Sequence, residues 1–141
     1  TINTPSMLCV EDALDALAWV ESIGGLSSSI KRSENNLKAV KDWVKNSHWI
    51  DFLCEDYDNL SSTSICLKIK DKSFLNLSDD MQKSKIKEIN TILEKENVAY
   101  DINSYRTAPP GFRIWGGSTV ETSDIENLLP WLDWSYTIVN G

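Results

Sequence analysis

The sequence is poor in the residues that build metal sites, disulfide frameworks and nucleophilic triads. Its 141 residues include one histidine, His48, and three cysteines, Cys9, Cys54 and Cys66, which lie far apart and form no CxxC pair. No disulfide or zinc framework is therefore expected, and reduced, buried thiols in a cytoplasmic protein are the simplest interpretation. A catalytic Ser-His-Asp or Cys-His arrangement would depend on His48 alone. We therefore assign His48 a structural role at the end of a helix, where a cation favours the helix dipole.

Positive charge and long apolar runs are also scarce. The chain has 14 basic and 21 acidic side chains, a formal net charge of -7 and a pI near 4.6. Neither a nucleic acid nor an anionic membrane surface is expected as a partner, because both need a basic face. No apolar run reaches the roughly 18 residues that span a bilayer. The first residues also lack the basic and apolar regions of a signal peptide.

Motifs for metals and nucleotides are missing too. Four acidic residues, Asp51, Glu55, Asp56 and Asp58, lie near one another in sequence but lack the regular spacing and the glycine of a calcium-binding EF-hand loop. The pair of glycines at 116–117 has no dinucleotide or P-loop pattern around it. No metal or nucleotide site is expected from these segments.

What the sequence does contain is a regular alternation of amphipathic segments and turn signals. Apolar periodicity and capping residues predict the element order α-α-β-β-α-β-β-α. The predicted helices cover about residues 4–23, 27–46, 78–97 and 123–138, and the predicted strands cover 49–54, 64–70, 99–104 and 112–115. This order favours one α+β domain, in which a small, mostly antiparallel sheet has helices packed on one face.

The periodicity also predicts which side chains are buried. Four side chains of the third helix are expected to face the core: Met81, Ile86, Ile89 and Leu93. Five of the second helix share one face: Leu26, Ile30, Leu37, Val40 and Val44. A capping box at residues 123–126 is expected to begin the last helix, and Pro130 to kink it.

Two arginines flank a rigid turn and could bind an anion. Arg106 and Arg113 lie on either side of Pro109-Pro110-Gly111. In a strand over 112–115, Arg113 would face away from the buried Phe112 and Ile114. The guanidinium group suits this role because its planar fork binds carboxylate or phosphate bidentately. The residues alone nevertheless favour the simpler alternative, two surface arginines in an acidic protein.

A second candidate anion site lies at the start of the chain. Asn3 and Thr4 precede Pro5 at the predicted first helix, and free N–H groups at a helix N-terminus attract phosphate. An ordinary N-cap is again the interpretation that the residues alone favour.

Taken together, these segments resemble phosphoserine aminotransferase, a fold-type I family that uses pyridoxal phosphate. Residues 108–121, APPGFRIWGGSTVE, resemble the substrate-binding segment of its α-proteobacterial branch, and residues 129–134, LPWLDW, resemble the final helix of that branch. Residues 7–14 and 22–26 also match the family pattern. The resemblance spans nearly the whole chain and is weakest over residues 70–97.

The resemblance implies a specific reaction and a partial chain. The family transfers an amino group reversibly between glutamate and 3-phosphohydroxypyruvate, giving phosphoserine and 2-oxoglutarate in serine biosynthesis, and it can also act in pyridoxine biosynthesis. Its members are expected to be cytoplasmic homodimers. Residues 1–25 would correspond to the end of the large cofactor domain and the connection between domains, and residues 26–141 to the C-terminal small domain. The cofactor-anchoring lysine lies upstream in the family, so no catalytic residue is expected here and the chain alone should be inactive.

The resemblance also assigns roles to individual residues. Asn3 and Thr4 match the pair that contacts the cofactor phosphate across the dimer interface. Arg113 matches the arginine that holds the substrate α-carboxylate, and Arg106 the arginine near the substrate phosphate. Tyr105 stands where better-known members often have histidine.

Two other functions remain open at this stage. A related fold-type I enzyme with another substrate, such as an alanine–glyoxylate aminotransferase, would keep the arginine for the carboxylate but not the phosphate contact. A non-catalytic α+β module that binds a partner or a small acid belongs to a different class.

Overall fold

The computed structural model describes residues 6–105 and 107–141. These residues form a three-stranded antiparallel sheet and the helices that pack with it. The strands are β1 (Ile50–Phe52), β2 (Ser64–Ile69) and β3 (Gly111–Trp115), in the order β1-β2-β3. The helices are α1 (Met7–Ser22), α2 (Gly25–Asn46), α3 (Lys72–Leu75), α4 (Asp79–Lys95) and α5 (Thr122–Asn140), with one 3₁₀ turn at Tyr57–Asn59. The predicted α+β class and antiparallel sheet are confirmed.

The core lies between one face of the sheet and the helices. Along β2 the side chains of Ile65, Leu67 and Ile69 are buried and alternate with partly exposed ones, which is the period of two expected of a strand. Helix α5 packs against α2 and α4, and α2 packs against β1. The same cluster contains Val40 of α2, Ile89 and Leu93 of α4, and Leu132 of α5, all 0% exposed.

The β2–β3 pairing depends on a close approach at one glycine. Gly111 lies opposite Lys68 in the antiparallel register. A Cβ atom added at Gly111 would lie 2.1 Å from the carbonyl oxygen of Leu67, far inside van der Waals contact. Only glycine lets the two backbones come this close.

The predicted strand over residues 99–104 is wrong. The segment makes a single isolated bridge, between Asn103 and Phe112. The reason is local: Asp101 has a φ of 53°, in the left-handed region, so the backbone cannot stay extended through it. Hydrogen bonds from the Arg113 amide to the Ile102 carbonyl (2.9 Å) and from the Ser104 amide to the Gly111 carbonyl (3.3 Å) still hold the segment beside β3.

Several predicted burials are also corrected. Met81 is 51% exposed, because it lies in the first turn of α4. Leu26 and Ile30 are 73% and 48% exposed, so the apolar face of α2 enters the core only from its middle onward. Cys9 and Cys54 are exposed rather than buried, since α1 has no buried residue and Cys54 follows the end of β1.

Helix boundaries differ from prediction at several places. Helix α1 begins at Met7, with Ser6 as its N-cap, instead of at the predicted start at Thr4 and Pro5, because the Ser6 side chain accepts from the amide of Cys9. Helix α5 begins at Thr122 with Glu121 as its N-cap, one residue before the predicted capping box, because the Thr122 hydroxyl donates to Asn36 Oδ1 at 2.7 Å. The short helix α3 was not predicted; Asp71 caps it by accepting from the amide of Ser73 at 2.8 Å. Pro130 lies inside α5, as predicted.

Two glycines with positive φ lie where α1 meets α2: Gly24 precedes α2, and Gly25 is its first residue. Gly24 and Gly25 have φ values of 103° and 76°. Residues with a Cβ rarely adopt such angles, so the predicted end of the first helix at this pair is confirmed. Helix α1 contacts α2 but buries none of its own residues.

Candidate functional site

Arg113 occupies the middle of β3, on the side of the strand that faces away from the core. Its neighbours Phe112 and Ile114 are 1% and 2% exposed, whereas the Arg113 side chain is 19% exposed. The alternation predicted from the strand period is therefore confirmed. Arg113 pairs with Cys66 of the central strand, so its backbone is fixed by the ladder on one side and by the bond to Ile102 on the other.

The guanidinium of Arg113 is held by weak contacts and keeps unused donors. Its Cζ atom lies 4.5 Å from the centre of the Tyr105 ring, within the range of a cation–π contact. Its Nη2 atom lies 3.8 Å from Asp101 Oδ2, too far for a hydrogen bond. Its Nε atom is buried and finds no hydrogen-bond partner among the described residues. Buried polar atoms normally have hydrogen-bond partners, so we expect a bound ligand or a rearranged neighbouring segment to supply an acceptor for this atom.

Arg113 lines a hollow of about 340 Å³ at the β3 edge of the sheet. The wall includes Tyr100 and Asp101 before β3, Trp115 at its end, and Asp124 and Leu128 of α5. Trp115 is 54% exposed, so the hollow opens to solvent beside an aromatic surface. A small carboxylate that enters it would meet the guanidinium of Arg113.

A second hollow, of about 560 Å³, lies along the same segment. Tyr105 lines it, as do Ser104 and Pro110 on the connection to β3 and Lys83 and Lys87 of α4. The ring of Tyr105 also contacts Arg113, which lines the first hollow, so Tyr105 connects the residues of the two hollows. Lys83 forms an ion pair with Asp79, and Lys87 adds a further positive charge. The second hollow is therefore suited to an anion.

A buried amide fixes the turn that follows β3. Asn36 of α2 is 0% exposed, and its Nδ2 donates to the carbonyls of Gly116 at 3.1 Å, Gly117 at 3.3 Å and Val120 at 3.0 Å. One turn earlier on α2, Arg32 Nε donates to the Ser118 carbonyl at 2.6 Å, and Arg32 also pairs with Glu121. The sequence motifs do not single out Asn36. The available signal was its place four residues before Val40, on the face that is otherwise apolar.

Three predicted site residues cannot be placed. Asn3, Thr4 and Arg106 lie outside the described residues. Among the described residues the structure brings Tyr105 and Asp101 to Arg113. Within residues 6–105 and 107–141, no group of three or more His, Cys, Asp or Glu side chains could hold a metal ion. No helix in these ranges is long and apolar enough to cross a bilayer.

Comparison with known sequences connects this arrangement to one kind of enzyme. The chain is 49% identical over 139 residues to phosphoserine aminotransferase of Methanosarcina barkeri, and 47% identical to that of Methanosarcina mazei. In both cases 99% of this chain is aligned, but only 35% of the relative. The chain thus spans about one third of the length of these relatives. No protein-family model matches it.

Comparison with solved structures supports the same relationship at the level of fold. The fold matches phosphoserine aminotransferase of Bacillus circulans subsp. alkalophilus with a TM-score of 0.78 at 19% identity, over 96% of this chain and 34% of that one. It also matches a phosphoserine aminotransferase studied for radiation damage of its Schiff base, with a TM-score of 0.73 at 16% identity. The chain is therefore related, along nearly all of its length, to a C-terminal segment of the phosphoserine aminotransferases.

Proposed function

We propose that these residues form the part of a pyridoxal-phosphate-dependent phosphoserine aminotransferase that recognises the substrate anion. The reaction is the reversible transfer of an amino group from glutamate to 3-phosphohydroxypyruvate, which gives phosphoserine and 2-oxoglutarate. The sequence identity to two phosphoserine aminotransferases supports the choice of reaction. The buried, unpartnered Nε of Arg113 is the single observation that supports the binding role.

The chemistry of Arg113 fits a carboxylate. The Nε and Nη2 atoms form one edge of the guanidinium fork, and neither has a hydrogen-bond partner within 3.5 Å among the described residues. A carboxylate can accept from both atoms at once, which fixes its orientation as well as its position. The ring of Tyr105 holds the guanidinium plane from one side. A substrate bound this way would present its amino-bearing carbon in one orientation.

The second hollow supports the phosphate end of the proposed substrate. Lys83, Lys87 and the hydroxyls of Ser104 and Tyr105 offer positive charge and hydrogen-bond donors beside the carboxylate site. We propose that Arg106, which is next to Tyr105 in sequence, contacts the phosphate there. An alanine–glyoxylate aminotransferase would have no use for this charge, so comparing phosphoserine with alanine as amino donors separates the two enzymes.

The described residues fit the substrate better than the cofactor. We propose that Asn3 and Thr4 contact the cofactor phosphate across a homodimer interface, but they lie outside the described ranges. Pyridoxal phosphate, when bound to the longer protein, supplies the electron sink for amino transfer. The residues described here would bind and orient the amino acid, and we expect the 141 residues alone not to transaminate.

The proposed domain division is supported by the packing. Helix α1 buries none of its residues and ends at the glycine pair Gly24-Gly25, whereas the core lies entirely beyond this point. We therefore propose that residues 1–25 belong to the end of a large cofactor domain and its connection, and residues 26–141 to the small domain. We also propose that the longer protein is a cytoplasmic homodimer and that it acts in pyridoxine biosynthesis as well.

The test is substitution of Arg113 in the full-length enzyme. Arg113→Ala removes both donors of the fork, and hydrogen bonds between charged groups contribute roughly 1.5–3 kcal/mol each, so we expect kcat/KM for phosphoserine to fall by about 100-fold or more. The cofactor absorbance should be unchanged. Lys31→Ala, an exposed cation on α2, is the matched control and should leave kcat/KM unaltered. An Arg113→Ala enzyme with normal kcat/KM would contradict the proposal.

A non-catalytic binding module makes a different prediction. If the full-length protein binds phosphoserine but produces no 2-oxo acid when supplied with pyridoxal phosphate, catalysis is ruled out and only the binding role of Arg113 remains.

A further inference from the structure

We propose that Asp101 is an internal counter-ion of Arg113, which the substrate carboxylate must displace and which thereby sets the affinity of the site for amino acids. This inference rests on the proposed function, because it assumes that Arg113 receives the substrate carboxylate. It adds an affinity-setting residue that the sequence motifs do not assign.

The first observation is the length and exposure of the contact. Asp101 Oδ2 lies 3.8 Å from Arg113 Nη2, and the Asp101 side chain is 89% exposed whereas that of Arg113 is 19% exposed. An ion pair of this length, with one partner in water, contributes little to stability. A carboxylate that forms direct hydrogen bonds to the same guanidinium edge can therefore replace Asp101 at low cost.

The second observation is the backbone that carries Asp101. Its φ of 53° is in the left-handed region, which most residues other than glycine avoid and which aspartate and asparagine tolerate better. The next residue, Ile102, is fixed to β3 through the Arg113 amide, at 2.9 Å. Asp101 thus leaves the line of the strand immediately beside Arg113, and its side chain is brought to the guanidinium without entering the core.

The third observation is the state of the guanidinium. Nε is buried and has no partner among the described residues, so a ligand can reach it only when Asp101 and its neighbours shift. The segment from 99 to 104 is held beside β3 by one isolated bridge and by hydrogen bonds at Ile102 and Ser104, so a shift is expected at Asp101, which precedes these bonds. Displacement of Asp101 and exposure of Nε would then be one event.

The electrostatics give the direction of the effect. Two carboxylates at one guanidinium repel each other, so the Asp101 charge opposes binding of a substrate carboxylate. Asp124 of α5 lines the same hollow and adds negative charge, without an ion pair to Arg113. Removing the charge of Asp101 should strengthen carboxylate binding more than removing that of Asp124.

The experiment compares Asp101→Asn with Asp124→Asn in the full-length enzyme. Asparagine tolerates the left-handed conformation, so Asp101→Asn removes the charge and keeps the backbone. Because exposed ion pairs are weak, we expect KM for phosphoserine and for glutamate to fall by about two- to fivefold. The fall in KM should be smaller at high ionic strength. The kcat of Asp101→Asn should stay within about twofold of the value for the unsubstituted enzyme. A merely structural role of Asp101 would not produce a salt-dependent fall in KM.

Arg113→Ala and the double variant separate the two proposals. If Asp101 acts through Arg113, Asp101→Asn should have no effect on KM in the Arg113→Ala background. If KM of the Asp101→Asn enzyme is unchanged or higher while Arg113→Ala abolishes binding, the counter-ion role is wrong and the proposed function stands. If Arg113→Ala leaves kcat/KM unchanged, the proposed function itself fails.

Discussion

At the scale of single residues, the buried Tyr136 forms a partly buried hydrogen bond with Asp71. Tyr136 is 5% exposed, stacks on Trp49 with ring centres 4.0 Å apart, and donates from its hydroxyl to Asp71 Oδ2 at 2.7 Å. Burial, and then the bond to Asp71, raises the pKa of Tyr136 far above its usual value. Hydrogen bonds from Tyr136 and Ser73 hold the pKa of Asp71 below its ordinary value.

These shifts predict how stability depends on pH. The unfolded tyrosine loses its proton near pH 10.0 but the folded one keeps it, so the free energy of unfolding should fall as pH rises above that value. Asp71 contributes stability above its unfolded pKa of 3.8, and this contribution is lost as pH falls through the lower folded pKa. Urea unfolding measured at intervals from acid to alkaline pH would show both decreases in the free energy of unfolding, one at acid pH (the acid limb) and one at alkaline pH (the alkaline limb).

Tyr136→Phe should lower stability by about 1 kcal/mol at neutral pH and flatten the alkaline limb. Tyr57 is the matched control, since it also bonds to a carboxylate, that of Asp51, but is 48% exposed. Tyr57→Phe should change the alkaline limb less. If the free energy of unfolding of Tyr136→Phe depends on alkaline pH in the same way as that of the unsubstituted protein, Tyr136 is not the source of the alkaline decrease.

Asn36 is the other residue whose substitution has a sharp expected outcome. Asn36→Ala would leave three carbonyl groups, at residues 116, 117 and 120, without their donor, so we expect a loss of about 2–3 kcal/mol in the free energy of unfolding. Asn35→Ala, at an exposed position on the same helix, should cost less than about 0.5 kcal/mol. Equal effects of the two substitutions on chemical denaturation would show that the buried amide is dispensable.

The sequence predicted some of these residues and could not have predicted others. The outward direction of Arg113 follows from the strand period, which is a local property. The partners of Asn36 lie 80 to 86 residues away, so nothing local identifies them. The left-handed backbone of Asp101 was likewise missed, because aspartate is compatible with both extended and left-handed conformations.

At the scale of elements, the junction of β2 and β3 is the tightest point of the sheet. We expect Gly111→Ala to destabilise the protein by about 1–3 kcal/mol, because the added methyl group would press on the backbone of Leu67 and widen the strand pair. Gly25→Ala is a useful comparison, since no atom lies within 4 Å of its added Cβ and its cost is that of a left-handed alanine alone.

The two glycine variants should differ in what they perturb. Hydrogen exchange of the β2 and β3 amides should rise in Gly111→Ala and stay unchanged in Gly25→Ala. Unaltered protection of these amides in Gly111→Ala would mean that the sheet adapts to the extra methyl group.

Elements with strong periodicity were predictable, and those decided by one residue were not. Strand β2 follows its apolar pattern closely, and helices α2 and α4 do so except near their N-terminal ends, where Leu26, Ile30 and Met81 are exposed. The segment 99–104 has the composition of a strand, but one left-handed residue interrupts it. Helix α5 begins earlier than its capping box because Thr122 is held from α2, a tertiary contact that overrides the local signal.

At the scale of the whole molecule, apolar side chains at the start of the chain remain uncovered. Seven of them on α1 and α2 are exposed, between 39% and 73%: Met7, Leu8, Val10, Leu14, Leu17, Leu26 and Ile30. Patches of this kind mark surfaces that bind another protein surface. In the proposed function this surface meets the rest of the longer enzyme.

We expect the 141-residue chain to self-associate through this surface when it is studied alone. Sedimentation velocity should show a mass that rises with concentration. Leu14→Glu combined with Leu17→Glu should reduce the association, because both side chains are more than half exposed and their loss does not disturb the core. Glu11→Gln with Asp15→Asn, on the same helix, is the control and should not weaken it. A monomer at all concentrations would contradict the expectation.

The glycines Gly24 and Gly25, where α1 meets α2, determine how far the exposed apolar surface of α1 moves when the backbone rotates there. Helix α1 has 16 residues, so it extends about 24 Å from the pair. A rotation of about 10° at Gly24 and Gly25 would move the far end of the helix by about 4 Å. Small torsional changes at two residues without side chains are thereby amplified into displacements large enough to open or close a gap between neighbouring surfaces.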